Sequence, residues 1–174
     1  MRLFIGIKLD EIALKKVLAI MDSLYQNGIR GNFTNKNNIH LTLSFLGEIN
    51  ENNVSEIINI INDEEIKEII NKIENLHITK MKPLKDMIVL ELELTKSLEQ
   101  LQKTLIKKLK NKGYKLEDRS YYPHITLVRQ YTKSSNDMYI TNIVKDVDIF
   151  STVTKVILFE SKRIRKDLIY ISLN

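Results

Sequence analysis

The amino-acid sequence predicts an α+β protein of two pseudo-symmetric lobes, each with an antiparallel-rich sheet covered by helices, and a central cleft between them. Two observations predict this fold. Short alternating segments typical of strands are interspersed with segments whose apolar residues recur at helical spacing. In addition, one order of elements, ending in a histidine-bearing strand, occurs twice, with His40 and His124 separated by 84 residues (124 − 40 = 84).

The first half is expected to contain a strand, a helix, a strand, a helix and a strand. Asp10 is a suitable N-cap for the first helix, and Gly28 is a suitable stop after it. A loop rich in Asn and Lys leads to the second strand, and a turn is expected near Pro83. The predicted elements cover residues 3–9, 10–26, 39–45, 53–62 (extending towards 71) and 76–81.

The second half repeats this order and adds two strands at its end. Leucines at helical spacing predict its first helix, and Gly113 follows that helix as Gly28 follows the earlier one. The predicted elements cover residues 87–94, 97–111, 124–128, 137–144 (a weak helix), 153–161 and 168–173. We interpret the repeat, about 1–84 and 85–174, as one bilobal domain over 1–174 whose lobes interleave.

Composition restricts the kinds of protein that this chain can be. Hydrophobic residues make up 43% and charged residues 28%, which is typical of a soluble globular protein. The sequence has no cysteine, which excludes disulfides and thiolate metal sites. No apolar stretch is long enough to span a membrane or to serve as a signal peptide, so we expect a cytoplasmic location. The net charge of +5 favours an anionic partner, although abundant Lys explains it equally well.

Two segments carry the pattern His, apolar, Thr, apolar, and they are the candidate site. Alternate side chains of a strand share a face, so His40 lies beside Thr42, and His124 beside Thr126, opposite the apolar residues between them. Imidazole exchanges protons near neutral pH, and a hydroxyl can donate to a phosphate oxygen. Arg129, five residues after His124, can reach the same phosphate. Two imidazoles on opposite sides of a phosphorus could act as acid and base.

Other residues of these types have simpler interpretations. A third His-x-Thr pair, His77 and Thr79, falls outside the repeat, and we interpret His77 as a strand residue without a catalytic task. Three scattered histidines do not make a metal site, and the sequence lacks a glycine-rich phosphate loop. The sequence therefore indicates neither a metal nor a nucleotide cofactor.

Both histidine segments resemble signatures of one family, the 2H phosphoesterases. The closest likeness is to the bacterial and archaeal RNA 2′,3′-cyclic phosphodiesterases, once called 2′-5′ RNA ligases. Residues 2–7 resemble the first strand of that family, residues 39–48 its first signature and residues 123–129 its second. One departure is Asn-Phe-Thr at 32–34, where the family often has an aromatic residue followed by Val or Pro.

The resemblance implies a function and a role for each candidate residue. It makes His40 the proton donor and His124 the proton acceptor, with Thr42 and Thr126 holding the phosphate and Arg129 beside it. The implied substrates are RNA with 2′,3′-cyclic phosphate ends or small cyclic nucleotides, opened to 2′-phosphates without a metal. No membrane and no obligate protein partner are implied. Alternatives left open are another 2H-type activity, on 2′,5′-linked oligonucleotides or an ADP-ribose cyclic phosphate, and an RNA-end binding module without chemistry.

Aromatic and basic residues near the motifs complete the sequence hypotheses. Phe45 lies an odd number of residues after His40, so regular alternation turns it towards the core. Tyr121, Tyr122 and Tyr131 could stack on a base, or serve packing alone. The basic run at 162–166 is expected to form an exposed hairpin tip, either ordinary solvated surface or a rim that attracts RNA.

Overall fold

A computed structural model describes residues 1–132 and 143–174. These residues form nine strands and four helices: β1 (Arg2–Ile7), α1 (Glu11–Gln26), β2 (Arg30–Phe33), β3 (Leu41–Glu48), α2 (Val54–Ile61), α3 (Glu64–Lys72), β4 (Leu76–Leu84), β5 (Met87–Leu92), α4 (Lys96–Asn111), β6 (His124–Thr132), β7 (Lys145–Ser151), β8 (Ile157–Ile164) and β9 (Asp167–Ser172).

The strands form two antiparallel sheets. The first sheet has the order β3-β1-β8-β9, and the second has the order β2-β6-β5-β4-β7. Each sheet contains strands from both halves of the sequence. The order β3-β1-β8-β9 matches β6-β5-β4-β7, with each histidine strand beside the first strand of its own half. The predicted α+β class with two antiparallel-rich sheets is confirmed.

Each of the two long helices packs against a strand of the sheet that it does not directly follow in the chain. Helix α1 follows a strand of the first sheet but packs against β7 of the second, whereas α4 follows a strand of the second sheet and packs against β3 of the first. Helices α2 and α3 pack against α4. Their buried apolar residues join those of both sheets in one core. A smaller cluster of Phe4, Ile157 and Phe159 lies apart from this core, and its residues belong to β1 and β8 of the first sheet.

Two strands escaped sequence analysis because little apolar alternation marks them: β2 is largely polar, and the alternation in β7 is limited to Val147 and Ile149. Strand β2 reads Arg-Gly-Asn-Phe and is held by its pairing with β6, while β7 exposes most of its residues at the edge of the second sheet. Tertiary pairing decides such strands, because their own side chains bury little apolar surface. The predicted helix over 137–144 falls largely on 137–142, outside the described residues.

Several predicted boundaries are wrong, among them the end of the strand expected over 124–128, which extends to Thr132. The helix expected to run from 53 towards 71 is two helices, because the Asp63 carboxylate accepts a hydrogen bond from the Glu65 amide and starts α3. Pro83 lies within β4, and the turn falls on the next residues, Lys85 and Asp86. The strand expected from 153 begins at Ile157.

Asp10 joins the start of α1 to the edge of the second sheet. One carboxylate oxygen accepts from the Ala13 amide at 2.8 Å, as in an N-cap. The other accepts from the Thr152 amide at 2.8 Å and from the Thr152 hydroxyl at 3.1 Å. The Ala13 amide, followed by the Thr152 amide, lowers the pKa of Asp10 below its usual value. The single carboxylate therefore stabilises both a helix and the contact between two parts of the fold.

We expect Asp10→Ala to lower the free energy of unfolding by about 2 kcal/mol, against about 1 kcal/mol for Thr95→Ala, measured by urea denaturation. Thr95 is the matched control, because its hydroxyl caps α4 by accepting from the Leu98 amide but makes no hydrogen bond like that of Asp10 to Thr152. A carboxyl with a lowered pKa stabilises the fold above its unfolded pKa and loses that effect as the pH falls. The excess cost of Asp10→Ala should therefore shrink below pH about 4. Equal losses for both variants would show that the tie to Thr152 contributes nothing.

Candidate active site

The two histidines occupy equivalent positions, each at the beginning of the corresponding strand of its own sheet. His40 directly precedes β3, and His124 is the first residue of β6. The apolar residues between the motif positions are buried, whereas both histidines and both motif threonines are half-buried. Each strand thus presents a histidine and a threonine on the face opposite the core.

Both imidazoles are anchored by the same local hydrogen bond. The His40 Nδ1 lies 2.6 Å from the carbonyl oxygen of Asn38, and the His124 Nδ1 lies 2.7 Å from the carbonyl oxygen of Tyr122. A carbonyl oxygen only accepts, so each Nδ1 carries a proton and donates it. In the neutral ring, Nε2 is then the nitrogen that can accept a proton.

The Thr42 hydroxyl lies against the reactive nitrogen of His40. Its Oγ1 is 2.8 Å from the His40 Nε2. Because Nδ1 of the neutral ring bears the proton, the hydroxyl donates to Nε2. The Thr42 oxygen therefore occupies the hydrogen-bonding position at the His40 Nε2.

A β-bulge follows each motif at the same offset. Opposite β1, residues Thr42 and Ser44 are paired and Leu43 is passed over. Opposite β5, Thr126 and Val128 are paired and Leu127 is passed over. The two extra residues are 84 apart (127 − 43 = 84), like the histidines. A bulge reverses the alternation of the strand beyond it, so residues five places after each histidine point to the histidine side.

Phe45 and Arg129 are those residues. The expectation that Phe45 faces the core is wrong, because the bulge turns it outward: its side chain is 64% exposed, and its ring lies 6.0 Å from that of Phe4. Arg129 is half-buried. Sequence analysis missed the position of Phe45 because a bulge has no signature in the pattern of apolar residues.

Aromatic rings surround His40. The centre of its ring lies 4.8 Å from that of Phe4, 5.2 Å from that of Tyr170 and 5.9 Å from that of Phe159. Gly6 makes room for this arrangement, since a Cβ there would lie 2.7 Å from the Leu41 carbonyl oxygen and 3.4 Å from the His40 Cδ2. The surroundings of His40 are therefore largely apolar.

Burial in these surroundings lowers the pKa of His40 to about 4, although the bond to the Asn38 carbonyl acts in the opposite direction. The positive charges of Arg129, His124 and Lys8 lower it further. Free His40 is consequently neutral at pH 7. These charge effects also mean that Arg129 and His124, from the second sheet, lie within electrostatic reach of His40.

Direct contacts join the two histidine strands. Strand β3 contacts β6, although they belong to different sheets. The Tyr121 hydroxyl donates to the Thr42 carbonyl oxygen at 2.8 Å. Within the second sheet, the hydroxyl of Thr34, the residue after β2, donates to the Thr126 carbonyl oxygen at 2.8 Å. The structure thus brings the predicted residues of both motifs to one junction between the sheets.

A connected group of polar side chains lies beside His124, whose strand partner is Glu91. The ring of Tyr122 stacks on that of His124 with centres 5.0 Å apart, and its hydroxyl donates to Glu91 at 2.7 Å. Lys82 forms an ion pair with Glu91 at 3.1 Å. The Tyr122 hydroxyl and the Lys82 ammonium together lower the pKa of Glu91. Tyr122 therefore orients His124 twice, through its carbonyl and through its ring, and sequence analysis gave it no such task.

His77 lies on β4, away from this junction. Its Nε2 is 2.6 Å from Asp148 and its Nδ1 3.3 Å from Glu93, and its ring stacks on Phe150 at 4.2 Å. Burial lowers its pKa, but the bonds to the two carboxylates outweigh burial and raise it.

In residues 1–132 and 143–174 no group of three or more potential ligands is placed to hold a metal ion. Within the same residues no helix is long and apolar enough to cross a membrane.

Comparison with known proteins identifies the family. The model of the AKAP7 2′5′ RNA ligase-like domain matches residues 3–165. A protein of Thermotoga maritima named RNA 2′,3′-cyclic phosphodiesterase is 29% identical over 150 residues, which cover 85% of this chain and 78% of the relative. A protein of the same name from Methanocaldococcus jannaschii is 32% identical over 130 residues, covering 74% of this chain and 71% of the relative.

Solved structures share the fold at lower identity. A protein of Thermus thermophilus has a TM-score of 0.77 at 16% identity, with 100% of this chain and 96% of that chain covered. E. coli LigT complexed with 3′-AMP has a TM-score of 0.73 at 21% identity, with 99% and 95% covered. The family match spans both histidine motifs and confirms the resemblance seen in the sequence. The chain therefore belongs to the AKAP7 2′5′ RNA ligase-like family of 2H phosphoesterases.

Proposed function

We propose that the protein hydrolyses 2′,3′-cyclic phosphates, on RNA ends or small nucleotides, to 2′-phosphates with His40 and His124 as a metal-independent acid–base pair. The observation that carries this proposal is the matched anchoring of both imidazoles at one junction of the sheets, each through Nδ1 to a carbonyl oxygen. The names of the bacterial and archaeal relatives support the same substrate class. Cytoplasmic RNA is the proposed partner.

The reaction needs one proton to be removed and one to be supplied. The oxygen of a water molecule forms a bond to phosphorus while the bond from phosphorus to the 3′ oxygen breaks. The His124 Nε2 takes a proton from the water, and the His40 Nε2 gives one to the departing 3′ oxygen. The direction, donor at His40 and acceptor at His124, follows the family resemblance. Each proton transfer contributes about 10²–10⁴-fold to the rate.

In this proposal, substrate binding itself protonates His40, which is neutral in the free protein. Without substrate, burial and neighbouring positive charges keep His40 neutral, and Thr42 donates to its Nε2. A bound phosphate anion favours the charged imidazolium, because an opposite charge close by raises the pKa of a histidine. Thr42 is then free to turn its hydroxyl to the phosphate. Binding and protonation of His40 are thereby coupled.

The remaining motif residues have matching roles in this proposal. Thr42 and Thr126 donate hydroxyl hydrogen bonds to the phosphate, and Arg129 offers a charged guanidinium fork that suits phosphate oxygens. Phe45 offers an exposed ring on the histidine side, on which a base can stack. Assays with 2′,5′-linked oligonucleotides and an ADP-ribose cyclic phosphate separate this substrate from other 2H-type substrates. Binding of cyclic-ended RNA without turnover would favour the binding module.

We expect His40→Ala and His124→Ala each to lower kcat on a 2′,3′-cyclic mononucleotide by about 10²–10⁴-fold, because each removes one proton transfer. The matched control is His77→Ala, which removes the third histidine and should keep full activity. Circular dichroism and urea denaturation check that the variants fold. Wild-type activity in either of the first two variants would refute the acid–base pair.

Nuclear magnetic resonance titration should resolve the histidines of the free protein by their pKa values. His40 should titrate near pH 4 and His77 above its ordinary value. Adding a 2′-nucleotide, the product, should raise the pKa of His40 through the phosphate charge and leave that of His77 unchanged. If nucleotide leaves the titration of His40 unaltered, the phosphate does not bind beside that ring.

Turnover should continue unchanged at saturating EDTA, because both proton transfers use imidazoles. A metal-dependent phosphodiesterase assayed in the same buffer supplies the positive control for chelation. Loss of activity that is restored by a divalent cation would replace the two-histidine mechanism with a metal mechanism.

A further inference from the structure

The hairpin formed by β8 and β9 ends in a dense group of positive charges. Ile164 pairs with Asp167, which leaves Arg165 and Lys166 as a two-residue turn. The four basic residues at the tip are all exposed, and within the part of the chain that the structure describes none of them forms an ion pair. They are Lys162, Arg163, Arg165 and Lys166. We call these residues the basic tip. Asp167 is the one acidic residue that adjoins it in the sequence.

The basic tip extends from the strands that surround His40. Phe159 of β8 and Tyr170 of β9 both lie against the His40 ring. Ser161 pairs with Tyr170, and side chains of paired residues share a face, as do alternate residues of one strand. Arg163, two residues beyond Ser161, is therefore on the His40 side of the sheet. Its distance from Phe159 along the strand is about 13 Å, at about 3.3 Å per residue.

Asn38 connects His40 physically to the same hairpin. Its carbonyl oxygen anchors the His40 Nδ1, and its side-chain amide donates to the Leu168 carbonyl oxygen at 2.7 Å. The Asn38 Oδ1 also accepts from the Tyr170 amide at 3.3 Å. Leu168 lies directly opposite Arg163 in the hairpin. The side chain of Asn38, the residue that anchors His40, is therefore bound to the strand residue directly opposite Arg163 of the basic tip.

Arg165 occupies a backbone conformation that favours glycine. Its φ is 57°, in the left-handed region, where a residue with a side chain costs about 1 kcal/mol or more. Lys85, the first residue of the β4–β5 turn, has a φ of 54° and carries the same cost. Because Lys85 shares both the conformation and the charge, the conformation does not by itself mark a binding surface, and Lys85 serves as a matched control for Arg165.

We propose that the basic tip binds backbone phosphates of the RNA strand that leads to the cyclic end, so that polynucleotides are preferred over cyclic mononucleotides. This inference rests on the proposed function, because it takes the cyclic phosphate to lie between His40 and His124. Arg and Lys neutralise phosphates without reading sequence, so the preference concerns length and not base. The path runs from the aromatic rings around His40 along the face of the β8–β9 hairpin to its tip.

The experiment compares Arg163→Ala/Arg165→Ala/Lys166→Ala with a matched control, Lys15→Ala/Lys16→Ala/Lys72→Ala. The control removes the same charge from exposed positions on α1 and α3, in the helical layer. Substrates are a 2′,3′-cyclic mononucleotide and a single-stranded oligoribonucleotide with the same cyclic 3′ end. We expect the tip variant to raise KM for the oligonucleotide about tenfold or more at low salt, with mononucleotide kinetics unchanged. The control should match the wild type on both.

A salt series measures the number of phosphate contacts. The ligand is the product oligonucleotide with a 2′-phosphate end, and the dissociation constant is followed by fluorescence anisotropy. Each phosphate contact to a single strand adds about 0.7 to the slope of log affinity against log salt, so three lost contacts lower it by about 2. An unchanged slope, or an equal change in the control variant, would overturn the inference. If the wild type opens neither substrate, the proposed function itself has failed.

A pair of glycine substitutions separates binding from stability. Arg165→Gly relieves the left-handed conformation, so its urea midpoint should equal or exceed that of the wild type while KM for the oligonucleotide rises several-fold. Lys85→Gly relieves the same conformation in the second sheet and removes the same charge, and we expect no change in KM. An equal rise in both variants would show general electrostatics instead of a defined surface. A fall in mononucleotide kcat for Arg165→Gly would assign the hairpin a structural role at His40.

Discussion

The candidate site depends on one backbone constraint that occurs twice, an extra residue directly after the His-x-Thr pair of each histidine strand. Up to Leu43 and Leu127, alternation places each His and Thr opposite the core. Beyond these residues the bulge reverses the faces, and Phe45 and Arg129 join the histidine side. Without the bulges, both side chains would point into the apolar core, where a guanidinium without a partner is strongly unfavourable. The repeated local irregularity thus decides which side chains lie on the histidine side of each strand.

The two histidines are anchored alike but have different neighbours. Both rings donate from Nδ1 to the carbonyl two residues earlier, which fixes the tautomer of each. Aromatic rings surround His40 and hold its pKa low, whereas Tyr122 and the Glu91–Lys82 ion pair lie around His124. The asymmetry lies in the neighbours, not in the motifs.

The exchange of strands and helices between the two halves places the site where neither half could build it alone. Strands β8 and β9, from the end of the chain, supply Phe159 and Tyr170 to the surroundings of His40 in the first half. Asn38 joins this hairpin to the His40 ring through both its side chain and its carbonyl. The charged tip therefore belongs to the same hairpin that contacts His40 and Asn38.

Local periodicity by itself determined the α+β class, the long helices α1 and α4, the core strands and the two His-x-Thr pairs, because these depend on neighbouring residues. The repeat of 84 residues (124 − 40 = 84) also predicted that the two motifs are equivalent. Tertiary structure alone decided β2 and β7, which have little apolar alternation and become strands by pairing with a neighbour. It also decided the exposure of Phe45, the neutral state of free His40 and the orientation of His124 by Tyr122. Each of these depends on register or burial, and both are set by residues distant in the sequence.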